Sequence, residues 1–573
     1  MSKLILATKG TAMLPITIPE NSGEVIKNAA KELAHYLKRI TGATFEIKKG
    51  SMPASINLAV DGSLGEEEFV LKSNDQAFSI TGGTPRGVFY GVYSFLEDVL
   101  GAGFYTADVT KLPSMEILEL EDLYFTDKPV LEFRQIDYPP CLHAEWRVKN
   151  RINGSSGAIA EMDQFGGMKY YAMFVHTFNR LVDPEVYFDE HPEYFSLVDG
   201  VRLKERTQLC LTNPDVIAIA TENVRKTLRA HPEATLISVS QNDVYNPCQC
   251  PACAKLDEEN GSHAGSLLYF VNAIAEAIEE EFPHVVVDTL AYQYTRTPPT
   301  NIKPRHNVCV RLCSIECCFG HPMEACYQVS YPFAKTKKTS ASSFQQDLIG
   351  WGKICNRIYI WDYVTNYRHY WLPFPNLRVL GPNMRFFANN GVKGVYEEGN
   401  PQSVSPDMTE LRTWLIAKLL WNPEFDVKKG IYEFTESVYG PAAEEIRAYI
   451  ALLEKRVEEG DIHFGIYENV DIGYLDEETV AKAGALMAAA QAKELTLSQR
   501  LYVEKVALSV EFVMVTQECL KGNVDETRID AMFEKGRTLG IQRISECGDW
   551  NQYRRLLLDG VVYNTFYGHP DFG

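Results

Sequence analysis

The sequence predicts an α/β protein: a (β/α)8-type TIM barrel, preceded by a small α/β unit and followed by an α-helical region. Three observations carry this. From about Leu131, short apolar strands alternate with long helical patterns, the texture of βαβ units around a parallel sheet. Before that point the strands are short and close together, with amphipathic helices among them. Past Ser405-Pro406-Asp407 the chain turns helical. The expected units are 1–125, 126–405 and 406–573, since 573 residues are too many for one core.

In the first unit, Ile16–Ile18 is a candidate strand. Glu24 to Ile40 is a helix with Ile26, Ala30, Leu33, Leu37 and Ile40 on one face and Gly42 just past its end. Strands are expected at Thr44–Ile47, Ile56–Val60, Glu68–Lys72 and Phe78–Thr81. Gly82-Gly-Thr-Pro-Arg-Gly87 lacks the lysine of a phosphate loop and the spacing of a dinucleotide fold, so it reads as a turn opening a helix from Val88 to Leu100. The barrel strands are expected at Glu132–Asp137, Tyr170–Val175, Thr235–Val239, Val285–Tyr292, Val308–Leu312, Arg357–Trp361 and Gly394–Tyr396. Ser266–Phe282 is the clearest crossover helix, with Leu267, Phe270, Val271, Ile274 and Ile278 on one face. Ser405-Pro406 suits a helix cap and first turn, opening a helix from Met408 to Leu420; the alanine-rich Ala481–Ala492 is a further helix.

A net charge of −20 argues against nucleic acid and anionic membranes as partners. No run of about eighteen apolar residues occurs, so no spanning helix is expected. The amino terminus has only a short apolar run, and 13 cysteines is an odd number. A cytoplasmic, reducing location is therefore expected; removal of a leader during maturation would instead place the protein outside the cell or at its surface. The oligomeric state is open.

In a barrel, chemistry sits at the C-terminal strand ends. Those ends carry His176-Thr177 with Asn179-Arg180, then Gln241-Asn242-Asp243, Tyr292-Gln293-Tyr294, Glu316, Asp362-Tyr363 with Asn366, Tyr367 and Trp371, and finally Glu397-Glu398. Helix caps alone explain some aspartates and asparagines, but not glutamates, tyrosines and tryptophan together.

The order of motifs is distinctive: Thr84-Pro-Arg-Gly87, His176-Thr177, His191-Pro-Glu-Tyr-Phe195, Ser240-Gln-Asn-Asp243, Cys248-Gln-Cys-Pro-Ala-Cys253, Trp361-Asp-Tyr363, Val395-Tyr-Glu-Glu-Gly399 and Leu419-Leu-Trp-Asn-Pro423. Over roughly residues 10 to 450 the chain resembles glycoside hydrolase family 163, formerly a domain of unknown function. The resemblance implies an N-terminal domain like that of α-glucuronidases and family 20 hexosaminidases, a catalytic barrel, and endo-β-N-acetylglucosaminidase activity on complex N-glycans. Characterised relatives are secreted or cell-surface proteins of gut bacteria.

Glycoside hydrolysis needs a protonated acid at the leaving oxygen and a second group to attack or stabilise the anomeric carbon. An N-acetyl group on the substrate can itself be the nucleophile, leaving the second carboxylate to orient it. Glu397 is expected as one of the pair. Glu398 is its neighbour, and successive strand residues face opposite ways, so one of the two faces the pocket. Asp243 or Glu316 is the expected partner, with Asp362 next. His176 and Asn242 are candidates for sugar hydroxyls, and Tyr292, Tyr294, Tyr363, Tyr367 and Trp371 for sugar faces. An inverting α-glucuronidase-like enzyme is the alternative; it needs basic residues, for which Arg180, Arg296 and Arg368 are available. A glycan-binding barrel without turnover is the other. The chemistry asks for no cofactor. Cys248, Cys250 and Cys253 can share a structural zinc whose fourth ligand comes from His306 with Cys309, or Cys313 with Cys317.

Overall fold

The computed structural model describes residues 3–327 and 343–560. The amino-terminal unit is built on a six-stranded sheet in the order Tyr124–Asp127, Phe69–Ser73, Phe78–Gly82, Ile56–Val60, Ile16–Ile18 and Ile47–Lys49. The expected Thr44–Ile47 strand thus begins later. The helix Glu24–Thr41 buries Ile26, Ala30, Leu33, Leu37 and Ile40, and Gly42, at φ 75°, ends it by donating its N–H to the Lys38 carbonyl. The second helix starts earlier than expected, at Pro85–Ser94, and loosens into a π turn over Phe95–Val99. Thr84 caps it by accepting from Gly87 N. A side chain on Gly82 would collide with the Val88 backbone nitrogen, so these glycines serve the tight turn into the helix.

The central sheet is parallel throughout. Its order is Phe133–Asp137, Val392–Glu398, Ile358–Tyr363, Val308–Cys313, Val286–Ala291 and Leu236–Ser238. Six strands therefore stand in the regular ladder where eight were expected, and the sheet curls as a half-barrel. Lys169–Tyr170 pairs with Gly154–Ser155 instead. The expected Tyr170–Val175 strand touches the main sheet irregularly, through the Tyr171–Leu236 bridge and the Ala172 N–H to Leu236 O bond. At the other flank a side chain replaces backbone pairing: Asn153 Oδ1 accepts from Arg134 N and Nδ2 donates to Glu132 O.

Inside the curl, alternate strand residues form an aromatic cage. Phe133, Tyr171, Phe174, Tyr359, Trp361 and Tyr396 surround the Arg311 guanidinium, with ring centroids 5.2–5.9 Å away. Arg311 Nε donates to Asp288 Oδ2 at 3.2 Å, and both residues are fully buried. This layer is the floor on which the strand ends stand.

The helices Thr409–Trp421, Val427–Val438, Ala443–Glu459, Glu477–Gln491, Leu497–Leu520, Glu526–Thr538 and Trp550–Leu558 share one continuous apolar core with the sheet. Ser405 does not cap the first of them. Its hydroxyl donates to the Tyr370 carbonyl, and Met408 enters the helix at φ 47°. Trp371 lies in this core rather than at the strand ends, edge-on to Phe512, Phe533 and Trp550, with Nε1 donating to Arg543 O. Among the described residues, no helix is long and apolar enough to cross a membrane.

Candidate active site

Above the aromatic cage lies a cavity of about 240 Å³ lined by His176, Asp243, Leu290, Tyr292, Cys313, Ile315, Trp361, Tyr363, Tyr367, Glu398, Tyr467 and Glu546. Strand alternation decides which of the two adjacent glutamates enters it. Tyr396 points into the curl and so does Glu398; Val395 and Glu397 point the other way. Glu398, not Glu397, therefore faces the cavity. Trp361 Nε1–H donates to its Oε2 at 2.7 Å, which leaves Oε1 toward the cavity. Burial among the aromatic walls pushes the Glu398 carboxyl up to about 8, against the Trp361 bond, with Glu546, Asp137 and Asp243 adding repulsion. The protonated form is thereby favoured.

Asp243 is exposed at the mouth and accepts a hydrogen bond from the Tyr292 hydroxyl at 3.1 Å. His176 takes a left-handed backbone, φ 54°. Its Nδ1 lies 2.8 Å from the Gln241 carbonyl oxygen, which can only accept. The Nδ1 proton is thereby fixed, and Nε2 is the edge left for a substrate hydroxyl. Trp361, Tyr363, Tyr367 and Tyr467 follow one another along one wall, neighbouring rings 6.1–6.3 Å apart.

The structure separates the other expected residues from the cavity. Glu316 is buried in an ion pair with Arg296, 2.9 Å, and Arg296 also holds Asp347 at 2.7 Å. Asn242 is structural: it bonds Asn179, Gln208 and the Thr207 carbonyl. Tyr294 packs edge-on against Tyr245 and His263. Asp362 accepts from Ser314 Oγ and Tyr363 N, behind the sheet. Its register partner on the next strand is Glu397, fully buried, whose oxygens have no hydrogen-bond partner among the described residues. Burial pushes the Asp362 carboxyl up to about 6 against its two hydrogen bonds, and burial together with repulsion from Asp362 pushes Glu397 well above its ordinary range.

That pair has a measurable consequence. From the ordinary glutamate value of 4.5 up to the raised folded value, the folded chain binds more protons than the unfolded one. Stability therefore falls as pH rises through that window. Glu397→Gln is expected to flatten this slope and raise the thermal midpoint at pH 8 relative to the parent. An unchanged slope in a melting series from pH 5 to 8 would mean the pair is not held as described.

Tyr467 and Glu546 were not legible as site residues. They belong to loops of the helical region. The Glu546 N–H donates to the Tyr367 carbonyl, and the Tyr367 N–H to the Ile466 carbonyl, so both loops are laid against the strand-end aromatics. Among the described lining residues there is no arginine or lysine. Arg296 is bound up as above, Arg180 reaches the Phe174 carbonyl and Arg368 reaches Asn469.

The expected thiol cluster gains a different fourth member. The sulfurs of Cys210, Cys248, Cys250 and Cys253 all lie within 4.8 Å of one another, and all four residues are buried. His306 instead pairs with Glu279, Cys309 lies in the core beneath the cage, Cys313 lines the cavity, and Cys317 is buried in the main core. Two residues before Cys210, the Gln208 side chain holds Asn242 and Val244 by their carbonyls. The cluster thus sits where it braces the Asp243 loop.

Residues 104–451, more than half of the chain, match the family described as domain of unknown function DUF4838. The chain belongs to that family. Residues 10–118 match the family described as glycosyl hydrolase family 20, domain 2. No curated protein matches the chain. The fold of this DUF4838 protein is similar to that of a family GH115 4-O-methyl-α-glucuronidase with specificity for decorated arabinogalactans. The TM-score is 0.59 at 13% identity, covering 100% of this chain and 80% of that one. At that identity the likeness speaks for the fold alone. A β-N-acetylhexosaminidase from Bacteroides fragilis superposes at 0.43, with 10% identity over 78% of this chain and 92% of that one, too loosely to carry an argument.

Proposed function

We propose that this DUF4838 protein is a glycoside hydrolase acting on neutral, N-acetylglucosamine-containing glycans, in the manner of an endo-β-N-acetylglucosaminidase. The observation that carries the reading is the Glu398 carboxyl, set in an aromatic-walled cavity where burial favours its protonated form, with Asp243 at the mouth. A general acid at neutral pH needs that shift. The match of residues 10–118 to a domain named for family 20 glycosyl hydrolases supports the substrate class. A uronic acid is disfavoured, because acidic side chains and no cation line the described cavity.

In this reading Glu398 gives its proton from Oε1 to the leaving oxygen. The acetamido carbonyl oxygen of the substrate attacks the anomeric carbon as that bond breaks, closing an oxazolinium ring. Asp243 orients the acetamido group and balances its charge, steadied by the Tyr292 hydroxyl. Water then opens the ring, returning a proton to Glu398, with retention of configuration. Trp361, Tyr363 and Tyr367 offer sugar-stacking faces, and His176 Nε2 a hydroxyl acceptor. The four thiols fit a structural zinc. A tetrahedron with Zn–S bonds of about 2.3 Å has S···S edges of about 3.8 Å, and Cys210 Sγ lies 3.6 Å from Cys250 Sγ. Zinc there would brace the Asp243 loop and take no part in the chemistry.

The route is tested with aryl β-glucosaminides carrying N-acetyl, N-fluoroacetyl and N-trifluoroacetyl groups. A substrate-assisted enzyme slows steeply along this series as the carbonyl loses nucleophilicity. Turnover indifferent to the series would remove the assisted route, and no turnover of any member or of an intact N-acetylated glycan would count against the hydrolase reading.

A further inference from the structure

A second cluster of metal-ligand residues, sharing no member with the four thiols, follows a different strand of the central sheet. Cys318, His321 and Cys326 follow the Val308–Cys313 strand, and His463 comes from the loop after the helix Ala443–Glu459. One donor atom from each lies within 4.8 Å of the others. The two imidazoles face the thiols by the same nitrogen. His321 Nδ1 is 3.4 Å from Cys318 Sγ, His463 Nδ1 is 3.3 Å from Cys318 Sγ, and Cys326 Sγ is 3.5 Å from His463 Nδ1.

These distances have a simple reading. Tetrahedral zinc with Zn–S of about 2.3 Å and Zn–N of about 2.0–2.1 Å sets each S···N edge at about 3.5 Å. The far nitrogens both turn toward one carboxylate at ion-pair distance, and neither makes a hydrogen bond to it. His321 Nε2 and His463 Nε2 lie 3.4 and 3.7 Å from the same oxygen, Asp461 Oδ1. A carboxylate behind the metal-binding imidazole is the usual outer partner, fixing the tautomer and raising ligand basicity. Asp461 is placed there by a left-handed backbone, φ 47°, which an aspartate tolerates better than most side chains.

We propose that Cys318, His321, Cys326 and His463 bind a structural zinc ion through two thiolates and two Nδ1 atoms, with Asp461 as their shared outer carboxylate. Thiolate with imidazole in a closed tetrahedral set favours zinc over the harder divalent cations. The ion ties the loop after the Val308–Cys313 strand to the 461–467 loop. Those two loops already meet through the Phe319 N–H to Phe464 O bond, and the second carries Tyr467 onto the cavity wall. The site therefore fastens the helical region to the strand ends at the place where it contributes to the pocket.

The test is metal content of the full chain, purified reduced, loaded with zinc and dialysed. The Cys326→Ser/His463→Ala variant is expected to hold one zinc per chain fewer than the parent, while Cys210→Ser loses a different ion. The difference is read whether or not the four-cysteine site is occupied, so the two fail separately. Asp461→Asn keeps all four ligands and is expected to weaken zinc binding by about 10- to 100-fold. If the double variant does not fold, anomalous scattering at the zinc edge from parent crystals is expected to place a peak among the four residues. No peak there, equal zinc in parent and double variant, or a Cys318–Cys326 disulfide in the mapped peptides of the isolated protein would overturn the proposal.

Discussion

Glu398→Gln is expected to lower kcat/KM by about 10²- to 10⁴-fold, the contribution of a positioned general acid. The loss should be smallest for aryl glycosides whose leaving groups need no proton. Glu397→Gln, one residue away, is expected to stay within a few-fold of the parent because its side chain lies behind the sheet. The pH profile distinguishes the two further. Activity of the parent falls as pH rises through about 8, where Glu398 loses its proton, and that limb should vanish with Glu398→Gln. If Glu397→Gln proves the inactive variant, the assignment of faces is wrong.

The largest effect on stability is expected at the floor of the site. Arg311→Met removes the cation that six rings surround and leaves Asp288 buried without its countercharge, held only by the Tyr171 and Ser238 hydroxyls. Breaking a buried pair from one side costs about 3–5 kcal/mol. Asp288→Asn with Arg311→Met removes both charges and should recover much of that loss, since the cage is otherwise apolar and aromatic. Thermal and denaturant melts of the single and double variants measure the coupling. A single variant as stable as the parent would show that the cage does not depend on its cation.

The broad architecture was legible because βα alternation and helical periodicity are local signals. Most of the cavity was too. His176, Asp243, Tyr292, Tyr363, Tyr367 and Glu398 were all candidates read from strand ends, and the cavity gathers them. The choice between Glu397 and Glu398 was not legible. Both faces of a parallel sheet are buried, so Val395 and Tyr396 look alike in sequence although one packs outward and the other inward. Glu316 and Asp362 sit at strand ends as expected, but a strand-end position does not say whether a carboxylate meets solvent, an arginine or a neighbouring acid. Trp371 looked like a sugar platform because its loop begins at the pocket, yet that loop continues into the helical core. Cys210 lies far upstream of Cys248, joined to it only by the fold. Tyr467 and Glu546 come from loops between helices, where no periodicity marks a side chain for the pocket. The eight-strand expectation met a ladder of six: the Asn153 side chain, rather than a strand, bonds the Phe133–Asp137 edge, and the 170–175 segment meets the other edge through an isolated bridge.

The measurement closest to the central claim is product analysis by mass spectrometry. The parent protein and Glu398→Gln are each incubated with two sets of oligosaccharides, one neutral and N-acetylated, the other carrying terminal uronic acids. Cleavage at N-acetylglucosamine in the neutral set, lost with Glu398→Gln, is the predicted result. Release of uronic acid with the neutral set left intact, or binding of glycans with no cleavage in either set, would contradict it.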